Sequence, residues 1–521
     1  MKFLPCSKLG TVLARKHQVT LAGPNGSALA RLQSEVKIYN KTAEKEIECI
    51  SIGDVNTVVH CNVRPVINPQ EYSALKIIGN AVLNRNYNPF ELANLIEDVM
   101  DDQIPTYTNL KKMLPNYDLI YAIHSAAATV CDAFEALLQE NEYKDVPLRL
   151  PRVIVFSSLP YDPAMFRGSK DAPRNMWCEP RSLVALPHVA TYTSNYETLT
   201  LSSLLSILSF LTRLFWMWLD TYLAQKAWQV AGKRNDSRRA ARGLPNVQIG
   251  NKYYWQNYPL LSMGGVSPFI QPGAYIADNA TVAGSLKSTT PIDLSPLEDW
   301  IGNESPNKSI IYVCFGTGTK LSDLEFSNLA KMAKAFEGSV YRILFALRKE
   351  EQDRCQQILD KIIGSKPSFV AEGIIEYGQG LLRIDADVPQ EAFLQSGKVV
   401  IFVSHMGFGG YTEAVNGGVP MVAYPSGCDQ WYNCQRAVEA GIAVRANPQM
   451  KDLESTVTEA IKNDALTIRS KQLANEAKCF AADQIILNHA DKVATEGGDG
   501  GNSICDTSVT SSSTCDESLF D

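Results

Sequence analysis

Few stretches of this chain combine residue types at a spacing that chemistry requires, and the richest runs from Val388 to Asn433. An apolar run, Ile401-Phe-Val-Ser404, leads into His405 and then turns through Gly407, Gly409 and Gly410 towards Glu413. A glycine-rich turn at a helix start presents unpaired backbone N–H groups and the positive end of the helix dipole, which suits a phosphate. His405 adds a donor to the same anion. Glu413, one turn further on, can accept from both hydroxyls of a ribose, as an acidic residue does in dinucleotide folds. Asp429 and Gln430 follow the next apolar run and offer an acceptor and a donor to sugar hydroxyls. A single glycine turn or a single histidine is a weak signal; the turn, the acid and the Asp-Gln pair on one edge are a specific one.

The elements that must hold these residues follow from apolar periodicity. Ser309 to Phe315 is a short continuous apolar run, as for a strand covered on both faces. Gly316 to Gly318 ends it, Ser322 and Glu325 form a capping box, and Phe326, Leu329, Ala330, Ala333 and Phe336 recur at helical spacing. Gly338 stops that helix and Val340 to Leu347 is the next strand. Val399 to Val403 and Val419 to Tyr424 read as two more buried strands, with a short helix from Glu413 to Asn416 between them. Alternating strands and helices imply a doubly wound parallel sheet, with ligands outside the carboxyl ends of its strands. The first half repeats this more faintly. Val19 to Ala22, Leu119 to Ala122 and Val153 to Phe156 read as strands, with a helix from Ser125 to Leu138.

Length and charge set the frame. At roughly 150 residues per domain, 521 residues suggest two to four domains. With 45% hydrophobic and 20% charged residues the chain is globular, neither disordered nor collagen-like. Its net charge of −7 argues against nucleic acid as a partner. Lys233, Arg234, Arg238, Arg239 and Arg242 form the one basic cluster, expected as a solvated loop. Twelve scattered cysteines without a C-x-x-C pair read as free thiols in a reducing compartment. The first residues, MKFLPCSKLG, lack the apolar core of a signal peptide, so the expected location is cytoplasmic. N-x-S/T tripeptides at Asn25, Asn40 and Asn279 are of a kind common by chance.

The stretch from Val388 to Asn433 resembles the donor-site signature of the UDP-glycosyltransferases, the inverting GT-B type of glycosyltransferase family 1. The likeness extends more weakly through Tyr312-Val-Cys-Phe-Gly-Thr317 and Leu321 to Glu325. It implies an α/β chain with two Rossmann-like domains facing across a cleft. The expected boundaries are an acceptor-binding domain at 1–287, a linker at 288–307, a UDP-sugar-binding domain at 308–494 and a disordered tail at 495–521. By resemblance, His405, Gly407 and the backbone at Gly409 and Gly410 hold the diphosphate, with Thr317 reaching it from a facing loop. Glu413 binds the ribose, Gln390 and the Val388 backbone the ribose and uracil, and Asp429 and Gln430 the sugar hydroxyls. The implied activity is inverting transfer of a hexose, glucose by expectation, from a UDP-sugar to a hydroxyl of a lipophilic small molecule. Lipid or secondary-metabolite glycosylation fits this description. No metal and no further cofactor is expected.

Three departures from the family pattern stand out. The tryptophan that stacks on uracil falls on Asp387, which cannot stack. The family's Asn-Ser pair falls on Gly409-Gly410, with Phe408 in the place of the signature tryptophan, removing two polar contacts worth about 1 kcal/mol each. The third departure concerns the general base. Lys8 to Gly23 resembles the family's first helix and second strand, so counting back from His17 puts the catalytic histidine at or before Met1. The first strand is then missing and the chain reads as N-terminally truncated. The aspartate that orients this base falls on Ile123, leaving His124 beside it as a weak replacement. The alternative function is therefore a catalytically impaired UDP-sugar-binding relative. An epimerase or hydrolase on the same fold ranks third.

Leu199 to Leu223 breaks the α/β pattern. It is apolar enough for the ~20 residues of a membrane span, but Arg213 and four serines interrupt it. An amphipathic helix lining the acceptor pocket or lying on a membrane surface is favoured over a span.

Overall fold

A computed structural model describes residues 4–23, 27–41, 45–52, 104–123, 127–142, 150–160, 184–185, 197–198, 233–245, 258–264, 280–284, 286, 294–301, 310–316, 319, 321–364, 367–378, 381–425, 430–478 and 481–495. Contacts divide the chain into two compact units. The first holds residues 1–59, 87–290 and 481–521, the second 60–86 and 291–480.

In the first unit β1 (Val19–Gly23) pairs in parallel with β2 (Ile47–Ser51). A separate four-stranded parallel sheet has the order β3 (Leu119–Ile123), β4 (Arg152–Pro160), β7 (Leu260–Gly264), β8 (Ala280–Val282). Among the described residues no ladder joins the two sheets. A short antiparallel pair, β5 (Val184–Ala185) with β6 (Glu197–Thr198), lies between in sequence. One apolar core spans both parallel sheets, joining Val19 and Ile47 to Ile154, Phe156 and Leu261. The helix Ala482–Thr495 enters this same core with Ile486, Leu487, Ala490 and Val493, spaced one turn apart on one face. Lys16 and Asp491 bridge its outer face at 3.0 Å. The C-terminal helix thus packs in the first unit, whereas the sequence reading carried the second domain to residue 494.

The basic cluster is not a solvated loop. Residues 233–240 are helical and Arg239 is buried. Its guanidinium meets the carboxylate of the fully buried Asp132 and, at 2.6 Å, that of Glu135, while Nε donates to the Pro245 carbonyl at 3.0 Å. Arg242 reaches the second oxygen of Asp132 at 2.6 Å and lies over the Tyr107 ring at 4.2 Å. Charge counting alone misread this segment because its partners lie more than a hundred residues away, on the helix Ala127–Glu142. Asn40 is likewise occupied: its amide exchanges two hydrogen bonds of 3.0 Å with the backbone of Ile47, extending the β2 edge. Asn25 and Asn279 lie outside the described residues, as do Leu199–Leu223 and the tail beyond Thr495. Among the described residues no helix is long and apolar enough to cross a membrane. Cys6, Cys49, Cys131, Cys314, Cys355 and Cys434 carry free thiols.

The second unit is built on an eight-stranded sheet in the order β11-β12-β13-β10-β9-β14-β15-β16. Its strands are β9 (Ile310–Cys314), β10 (Arg342–Ala346), β11 (Ser368–Ala371), β12 (Ile374–Tyr377), β13 (Leu382–Asp385), β14 (Val399–Ser404), β15 (Met421–Ala423) and β16 (Ala443–Arg445). From β13 to β16 all pairings are parallel; β11 and β12 add an antiparallel edge. The chain leaves β9 first to β10 on one side and later returns to β14 on the other. That reversal is the topological switch point of a doubly wound sheet, where a crevice opens outside the carboxyl ends.

Period-2 alternation sorts the core. Ile311 and Val313 face the layer of Phe326, Leu329, Leu359 and Val457, while Tyr312 packs on the opposite face against Phe393 and Phe402. The capping box forms as the sequence predicts: the helix Asp323–Ala335 starts at Ser322, whose hydroxyl accepts from Glu325 N–H while its own N–H donates to the Glu325 carboxylate. The stretch 288–307 is not wholly irregular. Leu297, Trp300 and Ile301 recur at helical spacing in the helix Ser295–Ile301, and the Trp300 carbonyl accepts from Arg342 on β10.

Candidate functional site

The site is assembled by loops that leave the carboxyl ends of β9, β13, β14 and β15. After β14 the chain passes through His405 and Met406, whose φ of 63° lies in the left-handed region that non-glycine residues avoid. Three contacts hold this turn. Met406 N–H donates to Ser404 Oγ at 3.1 Å, Asn433 Nδ2 donates to the Met406 carbonyl at 2.9 Å, and the Met406 side chain is fully buried. Asn433 closes the Asp-Gln-x-x-Asn motif in sequence; its role here is to pin the turn that presents His405.

The imidazole of His405 occupies space that two glycines leave open. A Cβ on Gly316 would stand 2.7 Å from its Cε1 and Nε2, and one on Gly407 would stand 2.5 Å from Nε2. Gly316 also has φ +66°, so the loop after β9 needs glycine both for its backbone and for the ring beside it. Gly407 caps the helix Phe408–Gly417 with extended backbone and no side-chain cap. This helix starts five residues earlier than the sequence suggested, so Gly409 and Gly410 sit inside its first turn. A first turn tolerates glycine because its N–H groups make no intrahelical bonds. Those N–H groups, the dipole end without a side-chain cap and His405 lie within one turn of chain, a chemistry that suits an anion. A Cβ on Gly409 would meet nothing within 4 Å, so this part of the turn faces open space.

Glu413 lies one turn in and is buried. Its Oε2 accepts from Gln390 Nε2 at 2.5 Å, and Gln390 Oε1 accepts from Tyr312 Oη at 3.2 Å. Gln390 opens the helix Gln390–Gln395, which crosses the helix Phe408–Gly417 closely enough that a Cβ on Gly417 would stand 2.5 Å from the Leu394 carbonyl oxygen. Close helix approach therefore brings the amide to the acid.

The loop carrying Asp387 and Val388 is anchored by Asp385 at the end of β13. One oxygen of this buried carboxylate accepts from Asp387 N–H at 3.0 Å, the other from Arg383 at 2.9 Å. Asp387 is exposed and Val388 half-buried. Tyr424, just after β15, donates to Glu325 Oε1, linking the loop after β15 to the capping box that follows the loop after β9. Gln430 starts the helix Gln430–Glu439 on this same edge.

Of the residues expected from sequence, Gln390 meets Glu413 and lies beside Gly410, and Gly407 lies beside His405; Val388 precedes the helix Gln390–Gln395 and Gln430 starts the helix Gln430–Glu439. Thr317, Asp429 and His124 lie outside the described residues. Tyr312, Asn433 and Asp385 were not singled out as site residues, because their roles are contacts between distant elements. Ile123 ends β3 with an apolar side chain packed on the first unit's core.

Comparison with known proteins agrees with this architecture. Residues 274–471 match the family model described as UDP-glucoronosyl and UDP-glucosyl transferase. UDP-glycosyltransferase 72E2 of Arabidopsis thaliana is 30% identical over 180 residues, covering 33% of this chain and 36% of that protein. The chain thus matches about a third of that relative's length. Among solved structures, the calicheamicin glycosyltransferase CalG4 aligns with a TM-score of 0.55 at 12% identity over 96% of this chain and 97% of that one. UGT2 of Phytolacca americana, solved with UDP-2fluoro-glucose and pterostilbene, aligns at 0.50 and 11% identity over 94% and 96%. These likenesses establish the GT-B fold. Over residues 274–471 the chain is similar to the UDP-glycosyltransferase family, and its fold is that of these glycosyltransferases.

Proposed function

We propose that this protein transfers a hexose, glucose by preference, from a UDP-sugar to a hydroxyl of a lipophilic small molecule, with inversion at the anomeric carbon. The observation that carries the donor half is the half-buried Gln390 bonded to the buried Glu413 at 2.5 Å, beside a helix start whose cap is Gly407 and whose neighbour is His405. Glu413 and Gln390 take the ribose hydroxyls, and the Val388 backbone faces the base. His405 and the N–H groups at Gly409 and Gly410 neutralise the diphosphate and stabilise it as a leaving group, with Thr317 reaching it from the loop after β9. These donors meet the phosphate charge without a metal ion. Asp429 and Gln430 take the sugar hydroxyls.

The ligands of the similarly folded Phytolacca structure, UDP-2fluoro-glucose and pterostilbene, support the choice of sugar and of acceptor. The apolar Leu199–Leu223 segment falls where the resemblance places the acceptor pocket. A base must still deprotonate the acceptor.

Calorimetry with UDP, followed by UDP release from UDP-glucose over a panel of hydroxylated apolar acceptors, tests the proposal. Binding with acceptor-dependent release, undiminished by EDTA, is the expected result. Binding without release would leave a nucleotide-sugar-binding relative, release without acceptor would indicate a hydrolase, and no binding would overturn the donor site itself.

A further inference from the structure

Tyr312 sits mid-strand in β9, fully buried, and no reading of the donor site assigns it a role. Its ring is fixed from two sides. Phe402, directly across the ladder on β14, stacks on it at 5.0 Å and 12°, and Phe393 meets it edge-on at 5.2 Å and 86°. The hydroxyl of so confined a tyrosine can point in few directions, and a buried phenol needs a partner. The partner is Gln390 Oε1 at 3.2 Å, on the residue whose Nε2 donates to Glu413 at 2.5 Å. Burial first, then the Cys314 thiol and the Glu413 and Asp385 carboxylates, raise the phenol well above its ordinary range, so it stays protonated and able to donate.

A primary amide has one accepting and one donating end. Glu413 rejects the reversed amide, in which two oxygens would meet, but alone it leaves the far end free to swing. With Tyr312 holding that end, the second N–H of Gln390 and the carboxylate of Glu413 point in set directions before any ligand arrives. We propose that Tyr312 is a positioning residue that confers selectivity for a ribose over a deoxyribose on the nucleotide site, acting through Gln390. This rests on the reading of Gln390 and Glu413 as the ribose pair.

The test compares UDP with 2′-deoxy-UDP by calorimetry on the full chain, wild type against Tyr312→Phe, which keeps the stacked ring and removes one oxygen. Wild type should prefer UDP. In Tyr312→Phe the affinity for UDP should fall about tenfold, the scale of one neutral hydrogen bond. Affinity for 2′-deoxy-UDP should change little, so the preference collapses. Gln390→Met should lose the same preference, and adding Tyr312→Phe to it should cost nothing further, because both changes break one relay. Equal loss for both ligands, or additive losses in the double variant, would mean that Tyr312 supports the fold only and would overturn the proposal. Intact selectivity in Tyr312→Phe would overturn it as well. A wild type that binds UDP without preferring it to the deoxy ligand, or binds neither, would instead overturn the ribose reading on which it stands.

Discussion

His405 is held by what its neighbours lack. Gly407 has an ordinary backbone conformation, so Gly407→Ala introduces no strain of its own; its Cβ simply takes the place of the imidazole edge, 2.5 Å away. Gly316→Ala does the same from the other side, and in addition forces a side chain onto φ +66°, which costs roughly 1–2 kcal/mol. We therefore expect both variants to weaken UDP binding by about tenfold, as for a lost hydrogen bond to a charged phosphate. Only Gly316→Ala should also lower the unfolding midpoint clearly. Calorimetry paired with thermal melts distinguishes the two; equal melts with unchanged binding would show that His405 does not serve the anion.

At the scale of elements, the amide and the acid meet because two helices touch. Any Cβ at Gly417 would stand 2.5 Å from the backbone oxygen of Leu394, an atom that cannot rotate away. Gly417→Ala must separate the helices Gln390–Gln395 and Phe408–Gly417, an overpacking cost of about 1–3 kcal/mol. The separation should lengthen the Gln390–Glu413 hydrogen bond and weaken UDP binding from a position well away from it. A chemical-denaturation midpoint and a UDP titration on the same preparation check this; loss of stability with full affinity would show that the pair tolerates the shift. A second element-level device is the capping box. Ser322→Ala should cost about 1 kcal/mol as a lost cap, with Tyr424–Glu325 still joining the two loops.

The whole chain is stabilised by contacts between segments far apart in sequence. Asp132 is fully buried against Arg239 and Arg242, so Asp132→Asn would leave two guanidiniums short of compensating charge. Removing one member of a buried charge network typically costs ~3–5 kcal/mol, and urea unfolding should show a loss of that size. On the C-terminal helix, the half-buried His489 lies 3.3 Å from the Tyr121 hydroxyl, and desolvation, then Lys492, lowers its pKa from 6.5 to about 4. The folded protein therefore keeps this imidazole neutral while the unfolded chain protonates it below pH 6.5. Unfolded molecules bind more protons in that window, so stability should fall as pH drops from about 6.5 towards 4. His489→Gln should flatten that part of the pH–stability curve, measured by thermal melts from pH 7 to 4; an unchanged slope would mean that the histidine titrates alike in both states.

What the sequence determined alone is local. Continuous apolar runs predict β9 and β14, the Ser322–Glu325 spacing predicts a helix start that forms as written, and the glycines after His405 mark the turn out of β14, because each depends on residues within a few positions of one another. The family likeness was legible for the same reason, since the signature is contiguous. Tertiary structure decided the rest. The helix Phe408–Gly417 starts ahead of its apolar periodicity because packing, not propensity, selects its first turn. Two members of the basic cluster, Arg239 and Arg242, became buried ion-pair partners of Asp132, and the helix Ala482–Thr495 joined the first unit. Tyr312, apolar in its sequence context, became the far end of a polar relay. A hydrogen bond between β9 and the helix after β13 leaves no periodicity or spacing in the chain. It arises only when the switch point of the sheet brings those elements side by side.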